Sequence, residues 1–308
     1  MFDYKLIEAL AAVLEQGSFD KGARALNLTQ PAVSQRIKLL EEQTGRVLVV
    51  RTSPPVPTEA GRRVLAHFRK VRRLEQDLLP ALSPESGPEF SSLPLALNAD
   101  SLATWFLPAV RSFVQESSVL LDLKVDDQDR TLQLLRDGEV LGCISAQAES
   151  VQGCRSHYLG TMDYRLVASP AFVSRWFPDG VHLQACMQAP MVLFNSNDEL
   201  HHKLLAQAFG KSGEFLFVHH LPSSERFSSF IVDGLACGML PDQQGRTLLD
   251  AGRLVDLLPG VAASVELYWH CWTIRSRLLN RLTTELQTRA GELLGKGNSP
   301  GIDPYQCS

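Results

Sequence analysis

The stretch TQPAVSQRIKLLEEQTG, residues 29–45, fixes both ends of one helix almost to the residue. The Thr29 hydroxyl can accept from a backbone N–H two or three residues on, Pro31 lies in the first turn where a missing N–H costs nothing, and Gly45 ends the run. Val33, Ile37 and Leu40 recur at helical spacing and predict a buried stripe. Two more helices precede it. YKLIEALAAVLEQG places Leu6, Ala9, Leu10, Val13 and Leu14 on one side and stops at Gly17, and SFDKGARALNL follows with Phe19, Ala23 and Leu26 as its apolar side. Two short helices joined by a tight turn, the second with Gln30, Ser34, Gln35 and Lys38 outward, predict a helix-turn-helix.

Charge suggests what that outward face meets. Residues 1–82 hold 13 Lys and Arg against 9 Asp and Glu, whereas the remainder holds 17 against 25. A basic front on an acidic body fits an anionic partner. The same face would suit a solvated three-helix bundle, but VLVVRTSPPVPT adds a short strand, a basic tip at Arg51 and a proline-stiffened return, which is a wing. The expected partner is double-stranded DNA. Thr29, Gln30, Pro31, Ser34, Gln35, Arg36, Lys38 and Arg51 are the candidate contacts: glutamine and serine can read base edges, and long cations reach phosphates.

Residues 1–58 are thus expected to form an N-terminal α winged helix-turn-helix domain, followed by a linker helix over 59–82. Val64, Phe68, Val71, Leu78 and Leu82 recur along that helix with Glu75 interrupting, a narrow stripe suited to a seam with a second copy. Pairing would place two reading helices on one face of DNA. Residues 83–92 read as a hinge, being rich in Ser, Pro and Gly without periodicity. From 93 to 295 strand and helix patterns alternate, predicting a C-terminal α/β domain on a mostly parallel sheet. Its two lobes are expected at 93–161 with 267–295 and at 162–266, and 296–308 reads as a tail.

Enzymatic signatures are missing. The chain has no HExxH, no GxSxG, no phosphate-binding glycine loop and no GxGxxG. Its six cysteines show no CxxC pairing and read as reduced thiols, and the adjacent histidines at 201–202 and 219–220 point apart, so no metal is expected. Charges within the first apolar stretch argue against a signal peptide, and no run approaches a membrane span, so a cytoplasmic location is expected.

NADSLATWFLPA, residues 98–109, carries Asn98, Ser101 and Thr104 where an apolar strand pattern gives way to a helical one. If Ser101 starts the helix, its N–H and those of Leu102 and Ala103 are unpaired, and with the hydroxyls of Ser101 and Thr104 they suit a carboxylate. Ser101 would otherwise simply cap its helix, contributing ~1 kcal/mol.

ALNLTQPAVSQRIKLLEEQTG, with PTEAG opening the long helix, resembles the LysR-type transcriptional regulators. LALNADSLATWFLPAV, VDDQDRTLQLLRDGEVLGCIS, LGTMDYRLVAS and ELYWHCW are similar to that family's arginine- and lysine-responsive ArgP branch. The resemblance implies a two-lobed, periplasmic-binding-protein-like effector domain, a small co-effector (L-arginine or L-lysine) in place of a cofactor, and control of amino-acid export or metabolism genes. It implies a homodimer or homotetramer and contact with RNA polymerase, with no membrane partner. By the same resemblance Ser101 and Thr104 would hold the α-carboxylate, with Asn98 beside them and Ser145 donating across the cleft. A basic ligand also needs carboxylates, for which Asp127, Asp163 and Glu225 are candidates alongside Asp100, Asp126 and Asp198. Tyr164 and Phe194, with Trp105, would wall its aliphatic stem. FNSNDELHHK (194–203) and PSSERFSSFIVDG (222–234) depart from the branch and leave lysine, arginine or another cation open. The alternative use of such a chain is as a chromosome-organising or replication-inhibiting DNA binder without an amino-acid response.

Overall fold

The computed structural model describes residues 3–82, 90–126 and 128–295. Helices α1 (Tyr4–Glu15), α2 (Phe19–Ala25) and α3 (Gln30–Thr44) form a bundle around Ile7, Leu10, Val33, Ile37 and Leu40, all fully buried. Asp3 caps α1 and Thr29 caps α3, its Oγ1 accepting from the Ala32 N–H at 3.4 Å. Asn27 makes the turn between α2 and α3 at φ +53°, a left-handed conformation that asparagine tolerates. The wing is a two-residue antiparallel pair, β1 (Val49–Val50) with β2 (Val56–Pro57). Glu41 on α3 fastens its base, Oε1 accepting from the N–H of Leu48 at 2.8 Å.

Helix α4 (Glu59–Leu82) corrects part of the seam expectation. Val64 and Phe68 pack into the bundle core beside the buried Leu65, so the first half of the stripe serves its own domain. Leu74 and Leu78, further along, are exposed at 41% and 54% and remain available to a second helix. The Leu82 side chain lies outside the described residues. The same first half also touches the effector domain. Ala66 lies against Gly138, Arg62 pairs with Asp137 at 3.5 Å, and the Arg69 guanidinium donates to the Asp137 carbonyl at 3.3 Å.

From residue 90 onward the chain runs β3 (Ser91–Leu97), which begins inside the stretch expected as a hinge, α5 (Ala99–Ser101), a π-helical turn (Leu102–Phe106), α6 (Leu107–Glu116), β4 (Val119–Val125), α7 (Gln128–Arg136) and β5 (Gly142–Ser145). It continues through β6 (Cys154–Ala168), α8 (Pro170–Trp176), α9 (Leu183–Gln188), β7 (Met191–Leu193), α10 (Leu200–Phe209), β8 (Val218–His220) and α11 (Ser224–Val232). Last come β9 (Cys237–Pro241), α12 (Asp242–Asp250), β10 (Val255–Asp256), β11 (Ala263–Trp272) and α13 (Arg277–Leu293). One curled sheet in the order β4-β3-β5-β11-β6-β9-β7-β8, with β10 pairing β6, holds both lobes together.

The expectation of a mostly parallel sheet is corrected. β3 pairs β4 and β5, and β7 pairs β8 and β9, in parallel. The long β6 and β11 run antiparallel to each other and to their other partners. These two strands cross from one lobe into the other, so each lobe begins with parallel strands and closes on a shared antiparallel pair. The lobe boundaries expected at 161/162 and 266/267 fall inside β6 and β11, the second beside a register shift at Leu267/Tyr268. Trp105, Phe106, Phe113 and Trp269, each 1% exposed or less, lie in the main core, with Trp272 at 2% beside them in the same cluster.

Candidate DNA-reading surface and effector site

On α3 the buried stripe fixes what faces outward. Thr29, Gln30, Pro31, Gln35 and Lys38 are exposed, and Ser34 and Arg36 are half-buried. Gln30 Nε2 donates to Ser34 Oγ at 3.2 Å, which lays this amide and this hydroxyl along one ridge. Arg51, expected at the wing tip, is exposed and carries its guanidinium 5.2 Å from the Phe19 ring centroid. The guanidinium thus stacks on a ring of α2.

The candidate effector site is centred on Asp100. Its carboxylate accepts from the Tyr164 hydroxyl at 2.8 Å and from the Ser224 hydroxyl. Asp100 belongs to the first lobe, Tyr164 to the crossing strand β6 and Ser224 to the second lobe, so one carboxylate bridges the cleft. A cavity of about 30 Å³ lies here, lined by Asp100, Tyr164, Phe194, Asp198, Ser224 and Gln244 among others. That is room for about one water, so the lobes are closed on each other. Burial pushes the Asp100 carboxyl above the usual range against the pull of Ser224 and Tyr164, and the charge of Asp198 pushes the same way. Asp198 behaves differently. Burial acts to raise it, but His201 and the N–H groups of Leu200 and Phe194 outweigh that and hold it low.

Of the residues singled out from sequence, Asp100, Tyr164, Phe194 and Asp198 come together in this cavity. Asp163 neighbours Tyr164 on β6 and faces the other side, bonded to the Ser264 hydroxyl at 2.5 Å. Glu225 is exposed, one residue past Ser224, and Asp126 pairs with Arg130 at 3.2 Å. Ser145 is buried, its Oγ accepting from the Gln147 N–H at 3.2 Å. Asp127 lies outside the described residues.

The helix start expected at Ser101 is corrected. Asn98 is the cap: its Oδ1 accepts from the Ser101 N–H at 3.3 Å and its carbonyl from the Leu102 N–H at 3.2 Å. Ser101 is fully buried with its Oγ accepting from the Trp105 indole at 3.1 Å, and Thr104 Oγ1 donates to the Asp100 carbonyl at 2.6 Å. Leu102–Phe106 then form the π-helical turn, a distortion that frequently marks functional sites.

Ser224 and Gln244 were not singled out from the sequence, yet a signal for them exists. In open α/β sheets ligands sit outside the carboxyl ends of the strands. Asp100 follows β3, Phe194 and Asp198 follow β7, Ser224 follows β8, and Gln244 follows β9. Sequence patterns place strands more readily than they place which strand ends converge.

The histidine pairs behave as core and surface: His201 is buried with Nε2 accepting from the Met239 N–H at 3.2 Å, and His219 and His220 are on the weakly buried β8. Among the described residues no group of three metal-ligating side chains occurs, and no helix is long and apolar enough to cross a membrane.

Residues 4–62 match the family model of the bacterial regulatory helix-turn-helix protein, lysR family, and residues 87–290 match that of the LysR substrate binding domain. The HTH-type transcriptional regulator ArgP of Pseudomonas aeruginosa is 49% identical over 296 residues, covering 95% of this chain and 97% of the relative. The crystal structure of ArgP from Mycobacterium tuberculosis superposes with a TM-score of 0.87 at 37% identity, covering 96% of this chain and 100% of that one. Full-length LysG from Corynebacterium glutamicum with bound effector Arg superposes with a TM-score of 0.79 at 35% identity, with the same coverage. The chain belongs to the LysR family, in its ArgP branch, and is a DNA-binding transcriptional regulator that senses a small effector rather than an enzyme.

Proposed function

We propose that the effector is a basic amino acid, L-arginine or L-lysine, and that the protein uses it to control genes of amino-acid export or metabolism. The observation that carries this reading is Asp100: a half-buried carboxylate, held between the lobes by Tyr164 and Ser224, in a cavity with a second carboxylate, Asp198. A cation placed there is attracted by both charges at reduced dielectric. Tyr164 and Phe194 line the same cavity and can pack on an aliphatic stem, whereas Ser101 and Thr104 could hold an α-carboxylate only by giving up their present bonds to the Trp105 indole and the Asp100 carbonyl. The similarity to ArgP and to arginine-bound LysG supports the same assignment.

Because the cavity is far below the ~300 Å³ of ordinary ligand pockets, binding parts the Asp100 contacts, and the ligand acts by its differential affinity for the two arrangements. Closure is relayed to DNA through α4, which touches the effector domain at Asp137 and Gly138, in a homodimer or homotetramer acting with RNA polymerase. The test is to recover duplexes bound by the full-length protein from fragmented genomic DNA of its host. Retention near amino-acid export or metabolism genes, altered by L-arginine or L-lysine and not by L-norleucine, is expected. Sequence-indifferent retention unaffected by any amino acid would contradict the reading and favour a chromosome-organising role.

A further inference from the structure

A second, larger cavity lies in the first lobe, away from Asp100. It measures about 260 Å³ and is lined by Arg155, His157, Cys271, Trp272, Asn280 and the hydroxyls of Thr273, Thr283 and Thr284 among others. That volume holds several waters' worth of ligand but falls short of a nucleotide-sized pocket. Its lining contains one cation, Arg155, with neutral polar side chains and an apolar wall, and no carboxylate.

Three features agree on the sign of its occupant. The Arg155 guanidinium is exposed and makes no ion pair with any described residue. A free guanidinium fork matches the two oxygens of a carboxylate or phosphate. The local field is positive at several neighbours: burial and Arg155 together hold His157 below its usual range, so it meets a ligand as a neutral ring. Arg155 also pulls on the Cys271 thiol and Lys70 on that of Cys154, although burial keeps both thiols protonated. Finally, Asn280 and Thr284 stand exposed on successive turns of α13; the Asn280 amide is an uncharged donor at the rim, and the Thr284 hydroxyl, which donates to the Asn280 carbonyl at 3.1 Å, would turn from it to reach a ligand.

We infer that this cavity is a binding site for a small oxyanion, a carboxylate or phosphate, held by Arg155 with Asn280 and Thr284, with the buried Trp272 forming part of its wall. The inference is independent of what binds at Asp100. Its position bears on regulation, because the Trp272 ring also carries Lys70 of the linker helix 4.9 Å from its centroid. An anion here sits at the joint between the linker and the effector domain.

The test is calorimetric titration of the full-length protein with inorganic phosphate and with succinate, using succinamide as the neutral analogue. Saturation by at least one anion with Kd below about 1 mM is expected, weakened about tenfold or more by Arg155→Gln and partly by Thr284→Val. Arg155 is on the surface, so its variant folds, and the circular dichroism spectrum checks this. Asp100→Asn should leave the anion's affinity unchanged. Absence of saturation by either anion, equal binding of succinamide, or undiminished binding in Arg155→Gln would overturn the assignment. A changed anion affinity in Asp100→Asn, most simply a gain on loss of a like charge, would move the ligand to the other cavity and overturn it equally.

Discussion

At the scale of single residues, Asp100 and Ser101 are neighbours with opposite kinds of work. On the proposed function Asp100 is held for a cation, and its burial comes at some cost to the fold. Its carboxyl titrates above the ordinary aspartate value in the native state, so the native state binds a proton more readily than the unfolded chain. Stability from this group is therefore complete below the unfolded value and is lost as pH rises through the raised native one. Asp100→Asn removes that dependence. In urea unfolding, the variant should gain stability relative to the parent between pH 4 and pH 7, while its affinity for the basic effector falls by about tenfold or more. A gain that shrank with rising pH would contradict the buried-carboxylate reading. Ser101, in contrast, satisfies a buried indole N–H. Ser101→Ala should cost about 1–3 kcal/mol in urea unfolding without any ligand present, because the Trp105 donor loses its partner. Any change in effector affinity in that variant has to be separated from this structural loss.

At the scale of elements, the decisive contact is between α4 and the turn after α7. Gly138 has φ +68°, and a β-carbon there would come within 2.5 Å of the Ala66 Cα. Gly138→Ala should therefore push the linker helix off the effector domain, raising hydrogen exchange in the first half of α4 while leaving the sheet protected. Unchanged exchange would mean that the contact carries no constraint. This contact was invisible in the sequence, because Gly138 reads as an ordinary helix terminator and only three dimensions bring Ala66 to it. The reading helix was legible down to its cap, since Thr29, Pro31 and Gly45 each act through their own backbone and the Val33–Ile37–Leu40 stripe needs no partner to be recognised. Strand directions in the sheet were less so. Alternation of patterns does not say that β6 and β11 cross between lobes, and those crossings make the centre antiparallel. The site was half legible for the same reason: Asp100 and Tyr164 stand out by type, but Ser224 matters only because β8 ends opposite α5. Asp163 and Tyr164 are adjacent in sequence and on opposite faces, which pattern alone could not rank.

At the scale of the whole molecule, a basic winged helix binds DNA while the other domain senses a small effector. Arg36→Ala should weaken duplex binding across sequences and reduce the salt slope by about one counterion, measured by fluorescence anisotropy at several ionic strengths. Leu74 and Leu78, exposed on α4, should be covered by a second copy, so Leu78→Arg should lower the sedimenting mass and the DNA affinity together. The central claim is that the cleft at Asp100 takes a basic amino acid, and calorimetry on the full-length protein tests it most directly. L-arginine, L-lysine, L-ornithine and L-norleucine would be titrated into the parent and into Asp100→Asn. Saturable binding of at least one of the cations, no binding of norleucine, and loss of the cation's affinity in Asp100→Asn is the predicted result. Equal binding of norleucine, or undiminished affinity in Asp100→Asn, would contradict it.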